Sequence, residues 1–409
     1  MNTLASTLPG AANAPSPERR PLIAALTLIA VGALFLWLQV GWRQAALWGV
    51  GAALGVALYH AAFGFTRGWR WFVADRRGDG LRAQMLILAL GVLLFFPVLA
   101  AGSFLGMPVK GLVSPVGVSV VLGAFLFGVG MQLGGGCASG TLFAVGGGNT
   151  RMVVTLLFFI VGSVIATANY GWWSNLPQFK PTSVIDLWGV LPALALNLAV
   201  FGLIAWGVTV AEKRRHGRIV ASARGTDAPA RLLRGPWPLV WGGVALVLLN
   251  FATLLLAGRP WGITSAFALW GAKTLAATGL AEPAGWAFWQ VPAQAKALAA
   301  PVYADVTSVM DIGLVLGALA AASAAGKFAP VWQIPRRQLV AAIVGGLLLG
   351  YGSRLAYGCN IGAYFSGILS GSLHGWLWLV CAYAGSVIGV RLRPAFGLEN
   401  ERVADSRGC

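Results

Sequence analysis

Ten apolar segments, each close to 20 residues long, limit what this chain can fold into. A helix of about 20 apolar residues spans the hydrocarbon core of a bilayer and satisfies its own backbone hydrogen bonds there. Only 10% of the 409 residues are charged, against about 25% in a soluble domain. We therefore predict an all-α polytopic membrane protein with about ten transmembrane helices, at residues 22–40, 44–63, 83–101, 116–134, 152–169, 187–211, 237–257, 306–325, 338–355 and 373–392.

The charged residues predict the orientation of these helices. The chain has 29 Lys and Arg against 12 Asp and Glu, a net charge of +17. The basic residues lie in short loops rather than on one polar face, which argues against a nucleic-acid-binding protein. With the N-terminus in the cytoplasm, 22 Lys and Arg fall inside and 7 outside, as the positive-inside rule expects. We predict that both termini are cytoplasmic, as is the loop 64–82.

The same pattern divides the chain into five regions. They are a polar N-terminal tail (1–21), a first transmembrane half (22–211), a basic cytoplasmic linker (212–236), a second, inverted transmembrane half (237–395) and a C-terminal tail (396–409).

A repeat relates the two halves. Residues 128–143 (GVGMQLGGGCASGTLF) and 350–365 (GYGSRLAYGCNIGAYF) are identical at seven of sixteen positions with an offset of 222 residues. The tetrapeptide GSVI at 162–165 recurs at 385–388. A weaker echo joins FGFTRGWRW, from Phe63, to WGITSAFALW, from Trp261. The span count makes the copies enter the membrane from opposite faces, which predicts an inverted-topology repeat of the kind that secondary transporters use.

Each copy of the motif contains a glycine-rich segment too short to cross the membrane, which predicts a re-entrant half-helix. Cys137 and Cys359 each follow a glycine and begin one of these half-helices. Unpaired N–H groups and the positive dipole end at such a start favour an anion, and a thiol adds a soft donor suited to sulfur. We predict a substrate-binding site for a small anion with sulfur character, formed by Cys137, Cys359, Gly136, Gly140, Gly358, Gly362, Ser139 and Asn360.

Two other interpretations of these cysteines stay open. Gly-Cys segments in membranes are often tight packing surfaces, although duplication at matching positions favours a function. A nucleophilic thiolate is the chemical alternative, because a helix N-terminus favours the thiolate form. We interpret Cys381 as a packing residue and Cys409 as incidental.

Ionisable residues inside the spans are few. Arg354 lies five residues before Cys359 and is predicted to attract an anion in an outer vestibule, the alternative being a snorkelling side chain. Asp311 could pair with Arg354 or with Lys273. His60 and His374 lie near span ends, where an interfacial role is expected.

Several kinds of site have no signal in the sequence. The scattered histidines and cysteines give no metal-ligand spacing, and there is no nucleotide-binding loop. We expect no metal, no cofactor and no direct use of ATP, and a chain that is not an enzyme.

Three segments resemble the YeeE/YedE family of sulfur-transport membrane proteins: GCASGTLFAVGGGNTR, WGITSAFALWGAK and GYGSRLAYGCNIGAYFSGILSGSLHGWLW. The resemblance covers roughly residues 44–395. It implies an hourglass-shaped inverted-repeat fold and uptake of thiosulfate across the bacterial inner membrane, through S–H···S hydrogen bonds without covalent intermediates. Cys137 and Cys359 match the two central cysteines of the family.

This chain departs from the resemblance at one position. The family's thiosulfate transporters use a further cysteine in the first re-entrant segment, where this chain has Gly64, and the echo of that position is Gly262. These glycines are candidate gating positions. Because the further cysteine is missing, the sequence does not determine which compound is the substrate. The family also implies a cytoplasmic TusA-like sulfur carrier as partner.

The leading hypothesis is a transporter of thiosulfate or a related small sulfur-containing anion. The alternatives are a membrane sulfurtransferase that carries a persulfide on a cysteine, and a transporter for a selenium compound or another anion.

Overall fold

The computed structural model describes residues 16–220 and 234–401; residues 1–15, residues 221–233 of the predicted linker (212–236) and residues 402–409, with Cys409, lie outside the described part. Within that part, ten helical segments are long and apolar enough to span a membrane. The predicted class, an all-α polytopic membrane protein with about ten spans, is confirmed. The long helices are α1 (Arg19–Gln39), α2 (Trp42–Ala61), α4 (Asp79–Ala101), α5 (Val118–Gly134), α7 (Thr150–Ala168), α10 (Val190–His216), α11 (Leu239–Ala257), α15 (Val306–Ala324), α16 (Arg336–Leu355) and α18 (Leu373–Leu392).

Shorter helices lie between these long ones. They are α3 (Phe65–Asp75), α6 (Ala138–Gly146), α8 (Tyr170–Ser174), α9 (Val184–Trp188), α12 (Thr264–Ala277), α13 (Ala287–Gln290), α14 (Pro292–Ala299), α17 (Ser366–Leu369), a π-helical turn at Asn360–Phe365, and 3-10 turns at Pro283–Gly285, Val302–Ala304 and Arg393–Phe396.

Two antiparallel strand pairs join loops on one side of the bundle. Ser103–Phe104 pairs with Met107–Pro108, and Val116–Gly117 pairs with Gln178–Phe179. Each strand is two residues long, so neither pair forms a core of its own.

The predicted loop at 64–82 is wrong. Residues Phe65–Asp75 form helix α3, whose Phe65 and Trp69 are buried in the main hydrophobic cluster. Charged residues (Arg67, Arg70 and Asp75 among them) alternate with these aromatic residues, so the segment is amphipathic. Its mean hydropathy is therefore low, and this average does not reveal that one face of the helix is buried. Helix α12 follows Trp261 in the second half in the same way.

Glycines at equivalent positions of the repeat hold the central helices together. A Cβ built on Gly128 of α5 would lie 2.0 Å from the carbonyl oxygen of Ala382 in α18. At the position 222 residues later, a Cβ on Gly350 of α16 would lie 2.2 Å from the carbonyl oxygen of Phe159 in α7. Only glycine permits such close helix contact.

The GSVI tetrapeptides form a second set of contacts with the same symmetry. A Cβ on Gly162 of α7 would lie 2.4 Å from the carbonyl oxygen of Leu347, and one on Gly385 of α18 would lie 2.0 Å from that of Phe125. The repeat found in the sequence is therefore also a repeat of backbone contacts.

The bundle has two ends that differ in charge. On the first, called the basic face here, the end of α10 meets the start of α4: Glu212 is fully buried, accepts a hydrogen bond from Gly78 N at 3.0 Å and pairs with Arg82. This is the face predicted to be cytoplasmic. The other end, called the opposite face, carries Arg259 and Arg354.

Candidate transport site

Cys137 caps the first half-helix of the repeat. It is 1% exposed, and its sulfur lies 3.4 Å from Ser139 Oγ. Gly135, with φ of +99°, ends α5 and turns the chain so that α6 can begin at Ala138. The amide nitrogen of Thr141 donates to the Cys137 carbonyl oxygen at 2.8 Å. The thiol therefore lies at the N-terminus of a half-helix, as the sequence predicted.

Thr66, at the start of α3, is a partner of Cys137 that the sequence analysis missed. It is 3% exposed, its hydroxyl has no hydrogen-bond partner among the described residues, and it interacts with the Cys137 thiol. The FGFT/WGIT echo could have identified Thr66, because Thr66 and Thr264 occupy the same position in it.

Cys359 caps the second half-helix, which begins differently. It is 1% exposed, and its sulfur accepts a hydrogen bond from Ile361 N at 3.4 Å. Residues Asn360–Phe365 form a π-helical turn rather than an α-helical one. Gly358, with φ of +150°, is too close to Ala363 N for a side chain, since a Cβ there would lie at 2.8 Å. π-Helical turns are rare and are frequent at functional sites.

Two polar side chains of this turn have no hydrogen-bond partner among the described residues. Asn360 is fully buried, and neither its Oδ1 nor its Nδ2 makes a hydrogen bond within the described residues. The hydroxyl of Tyr364 is also buried without one. A buried polar group left unpaired is costly and usually has a functional explanation. Asn360 was predicted from the motif, whereas Tyr364 was not.

The two cysteines lie in one buried part of the bundle. Both cysteines belong to the same buried cluster, which includes residues of both halves. The predicted glycines are close neighbours of the thiols: a Cβ on Gly140 would lie 3.6 Å from Cys137 Sγ.

A cavity of about 300 Å³ opens on the opposite face and reaches the second half-helix. Its lining includes two glycines that flank Cys359, namely Gly358 and Gly362, together with Gly262 of the echo. Two half-buried arginines, Arg259 and Arg354, also line it. Arg259 was not singled out from the sequence. A narrow space with two cations beside backbone N–H groups is suited to a small anion.

The space next to Gly64 on the basic face is much smaller. It measures about 10 Å³, although Gly64 is the repeat equivalent of Gly262. This is roughly the volume that one water molecule needs. The space beside Gly64 is therefore too small for an anion, whereas the cavity beside Gly262 is large enough; another cavity on the basic face, of about 390 Å³, lies between Gly147–Arg151 and Val331–Gln338.

Glu401 covers the arginines near Gly64. Its carboxylate accepts a hydrogen bond from Trp71 Nε1 at 2.6 Å and lies 3.5 Å from Arg67 and 3.4 Å from Arg70. Burial alone would raise the pKa of this carboxyl group, but the Trp71 hydrogen bond and the two arginines outweigh it and hold the pKa below its usual value. Nearby, Arg393 donates to the Gln132 carbonyl oxygen at 2.7 Å.

The predicted pairing of Asp311 with Arg354 or Lys273 is wrong. Arg354 donates to Thr264 Oγ1, and Lys273 donates to the carbonyl oxygen of Leu298 at 2.7 Å. The carboxylate oxygens of Asp311 have no hydrogen-bond partner among the described residues. Side-chain pairing across helices depends on helix rotation, which residue spacing alone does not give.

The interfacial role expected of the two histidines is also wrong. His60 is 4% exposed and His374 is 1% exposed. His374 Nδ1 lies 2.7 Å from Ser372 Oγ, and its ring packs against Gly367 behind the second half-helix. Cys381 is half-buried and packs against the main cluster, as a packing residue does.

Comparison with known proteins finds a matching family model and several similar proteins. The family model described as sulphur transport matches residues 60–388. The chain is 29% identical over 341 residues to the thiosulfate transporter TsuA of Spirochaeta thermophila, covering 80% of this chain and 92% of that protein. It is 25% identical over 353 residues to TsuA of Escherichia coli, covering 82% and 90%. A shorter match, 30% identical over 162 residues, covers 39% of this chain and 39% of the probable transporter YedE of Escherichia coli.

Proposed function

Because this chain belongs to the sulphur transport family, we propose that it takes up thiosulfate or a closely related small sulfur-containing anion across a bacterial inner membrane. Relatives that are named thiosulfate transporters match over about four fifths of the chain and support this choice of substrate. The observation that carries the proposal is the placement of Cys137 and Cys359 at half-helix starts within one buried cluster.

The path begins in the cavity of the opposite face. Arg259 and Arg354 attract the anion there, and Gly262, Gly358 and Gly362 leave room for it against the backbone. The N–H groups of the π-helical turn and the unpaired amide of Asn360 then replace hydration water. A binding site that supplies such donors in advance lowers the cost of removing the anion from water.

The cysteines carry the anion past the middle of the bundle. A neutral thiol donates an S–H hydrogen bond, and sulfur is a soft acceptor for it. The anion passes from Cys359 to Cys137, where Ser139 and Thr66 add hydroxyl groups. It leaves past Gly64 on the basic face. No covalent bond forms in this sequence of steps.

A persulfide-forming sulfurtransferase is supported less well. Attack by a cysteine on thiosulfate needs a group that takes the thiol proton. Within residues 16–220 and 234–401, the groups that hydrogen-bond the two thiols are the Ser139 hydroxyl and the Ile361 backbone amide. Neither of these is a general base at neutral pH.

Uptake of labelled thiosulfate into proteoliposomes tests the proposal. We expect Cys137→Ala and Cys359→Ala each to reduce uptake at least tenfold, and Cys381→Ala, the half-buried packing cysteine, to leave it unchanged. Unchanged uptake in both of the first two variants would overturn the cysteine path. Mass spectrometry after incubation with thiosulfate separates the enzyme alternative, which requires a stable adduct of one sulfur atom.

Competition identifies the substrate. Thiosulfate should displace the label, whereas sulfate, sulfite and selenite should do so weakly. Stronger displacement by selenite would favour a selenium compound as the substrate. Selenite is included in the test because this chain has Gly64 in place of the further cysteine of the family's thiosulfate path.

We also propose that the basic face is cytoplasmic, with both termini there, and that the two transmembrane halves are residues 22–211 and 237–395. The excess of Lys and Arg on that face supports this orientation, and a TusA-like sulfur carrier would receive the product there. Fusion of a reporter after Cys409 tests the orientation: green fluorescent protein should fluoresce, and alkaline phosphatase should be inactive.

A further inference from the structure

Asp311 is a carboxyl group buried in the bundle without a partner. The residue is 0% exposed, and neither of its side-chain oxygens has a hydrogen-bond partner among the described residues. It lies in α15, one turn after Thr307, which accepts a hydrogen bond from Arg259 at 2.9 Å. A buried carboxylate without hydrogen bonds is strongly disfavoured, so this position accommodates the neutral acid. The transport path described above makes no use of it.

The surroundings of Asp311 connect it to that path. The ionisable groups that interact with it are Arg259 of the cavity, Asp305 at the start of its own helix, and Cys359. Helices α1, α2, α6 and α12 pack against α15. The other ionisable residues of these helices are Arg19, Arg20, Arg43, Tyr59, His60 and Lys273. Asp311 therefore lies one turn from the residue that binds Arg259 of the cavity, on a helix that packs against the first half-helix.

We propose that Asp311 is a proton-binding site that couples transport of the anion to entry of a proton. This inference rests on the proposed function. One proton from the opposite face converts the carboxylate to the neutral acid, crosses with the anion and is released on the basic face. The bound anion near Cys359 and the proton on Asp311 favour each other's binding, and this coupling is reciprocal. When the anion moves on to Cys137, the proton loses its partner and leaves.

The charge of thiosulfate gives a physical reason for such a site. The ion carries two negative charges, and an inside-negative membrane potential opposes their entry. Each charge moved against 100 mV lowers the attainable accumulation about fiftyfold. One accompanying proton halves the charge that crosses and adds the pH gradient as a driving force.

Two measurements on the same proteoliposomes separate coupling from transport. Exchange of labelled for unlabelled thiosulfate, at equal pH on both sides, reports transport without net proton movement. Net uptake, with the potential clamped and a pH-sensitive dye inside, reports proton entry. For the wild type, we expect exchange, acidification of the lumen during net uptake, and several-fold faster net uptake when the outside is one pH unit more acidic.

The variants then identify the group. Asp311→Asn should keep exchange but lose the acidification and the pH dependence, and Asp311→Glu should restore both. Asp186→Asn is the matched control, because Asp186 is an exposed carboxyl group on another helix, α9, so this variant should behave as the wild type.

Two outcomes would overturn this inference, and a third would overturn the proposed function. The inference is overturned if Asp311→Asn still acidifies the lumen, or if the wild type exchanges thiosulfate but never acidifies the lumen. The measurement of acidification by the wild type can overturn the inference even where the Asp311→Asn variant does not fold. Absence of exchange in the wild type would instead overturn the proposed function itself.

Discussion

Gln132 and Arg354 occupy equivalent positions in the two copies of the repeat, 222 residues apart, and bind equivalent segments. Gln132 Nε2 donates to the backbone oxygen of Thr66 at 3.2 Å, and Arg354 donates to the side chain of Thr264. Both threonines begin a half-helix of the FGFT/WGIT echo. The halves thus share a framework contact, but only the second half has a cation there.

Arg354→Gln would give both halves the same neutral side chain. Gln can still bind Thr264, so we expect a folded protein whose KM for thiosulfate rises tenfold or more, since hydrogen bonds to a charged group contribute about 1.5–3 kcal/mol. Concentration-dependent uptake measures this. Arg43→Gln, on an exposed side chain outside the cavity, is the control. An unchanged KM in Arg354→Gln would remove Arg354 from the entry site.

Asn360→Leu should separate stability from transport. The unpaired amide of Asn360 costs stability in the absence of the anion, so an apolar side chain of similar volume should stabilise the protein by about 1 kcal/mol while abolishing uptake. Thermal unfolding in detergent and uptake assays measure both effects. Asn250 offers the contrast, because its amide bonds Ser366 and Trp261. Asn250→Leu should therefore lower the Tm. A lower Tm in Asn360→Leu would show that its amide has a structural partner.

The repeated glycine contacts predict which substitutions the bundle cannot accept. Gly128→Ala and Gly350→Ala each place a methyl group about 2 Å from a carbonyl oxygen, so the helices must separate. We expect a loss of more than about 3 kcal/mol, beyond ordinary overpacking, seen as a lower Tm or loss of expression. Gly202→Ala in α10, with nothing within 4 Å, should be neutral or slightly stabilising. Equal behaviour of all three variants would refute the contact.

The Glu401 contact should depend on pH in a defined direction. Because the pKa of Glu401 is lowered by Trp71 and the arginines, the contact contributes stability above the unfolded-state pKa of about 4.3 and loses it as pH falls through the lower folded-state value. Hydrogen exchange of the peptide covering residues 393–401, corrected for intrinsic rates, measures the docking of this segment. Glu401→Gln should increase exchange at pH 7 and make little difference at low pH.

Glu399→Gln is the control for this measurement, because Glu399 is bound through its backbone oxygen, which accepts from Arg393 at 2.8 Å. If it increases exchange as much as Glu401→Gln does, the side-chain contact with Trp71 is not what holds the segment.

The sequence predicted the spans and the two thiols well, because both depend on local signals. Apolar length identifies a membrane helix, and a repeat with seven identities in sixteen positions identifies Cys137 and Cys359 together. The sequence did not predict the features that depend on helix rotation or on an unusual backbone conformation. The π-helical turn at Asn360–Phe365, the burial of α3 and the isolation of Asp311 are products of packing. The Thr66–Cys137 contact joins residues 71 positions apart that no periodicity relates.

The glycine contacts between α5 and α18, and between α7 and α16, bear on how the protein moves. At these four glycines the backbones of the two halves are in direct contact, so one half cannot slide past the other without separating the helices. A cycle of large rocking motions would have to break all four contacts at every turnover. The moving parts are therefore the short segments inside a fixed frame, and a covalent cross-link between α5 and α18 should leave turnover intact.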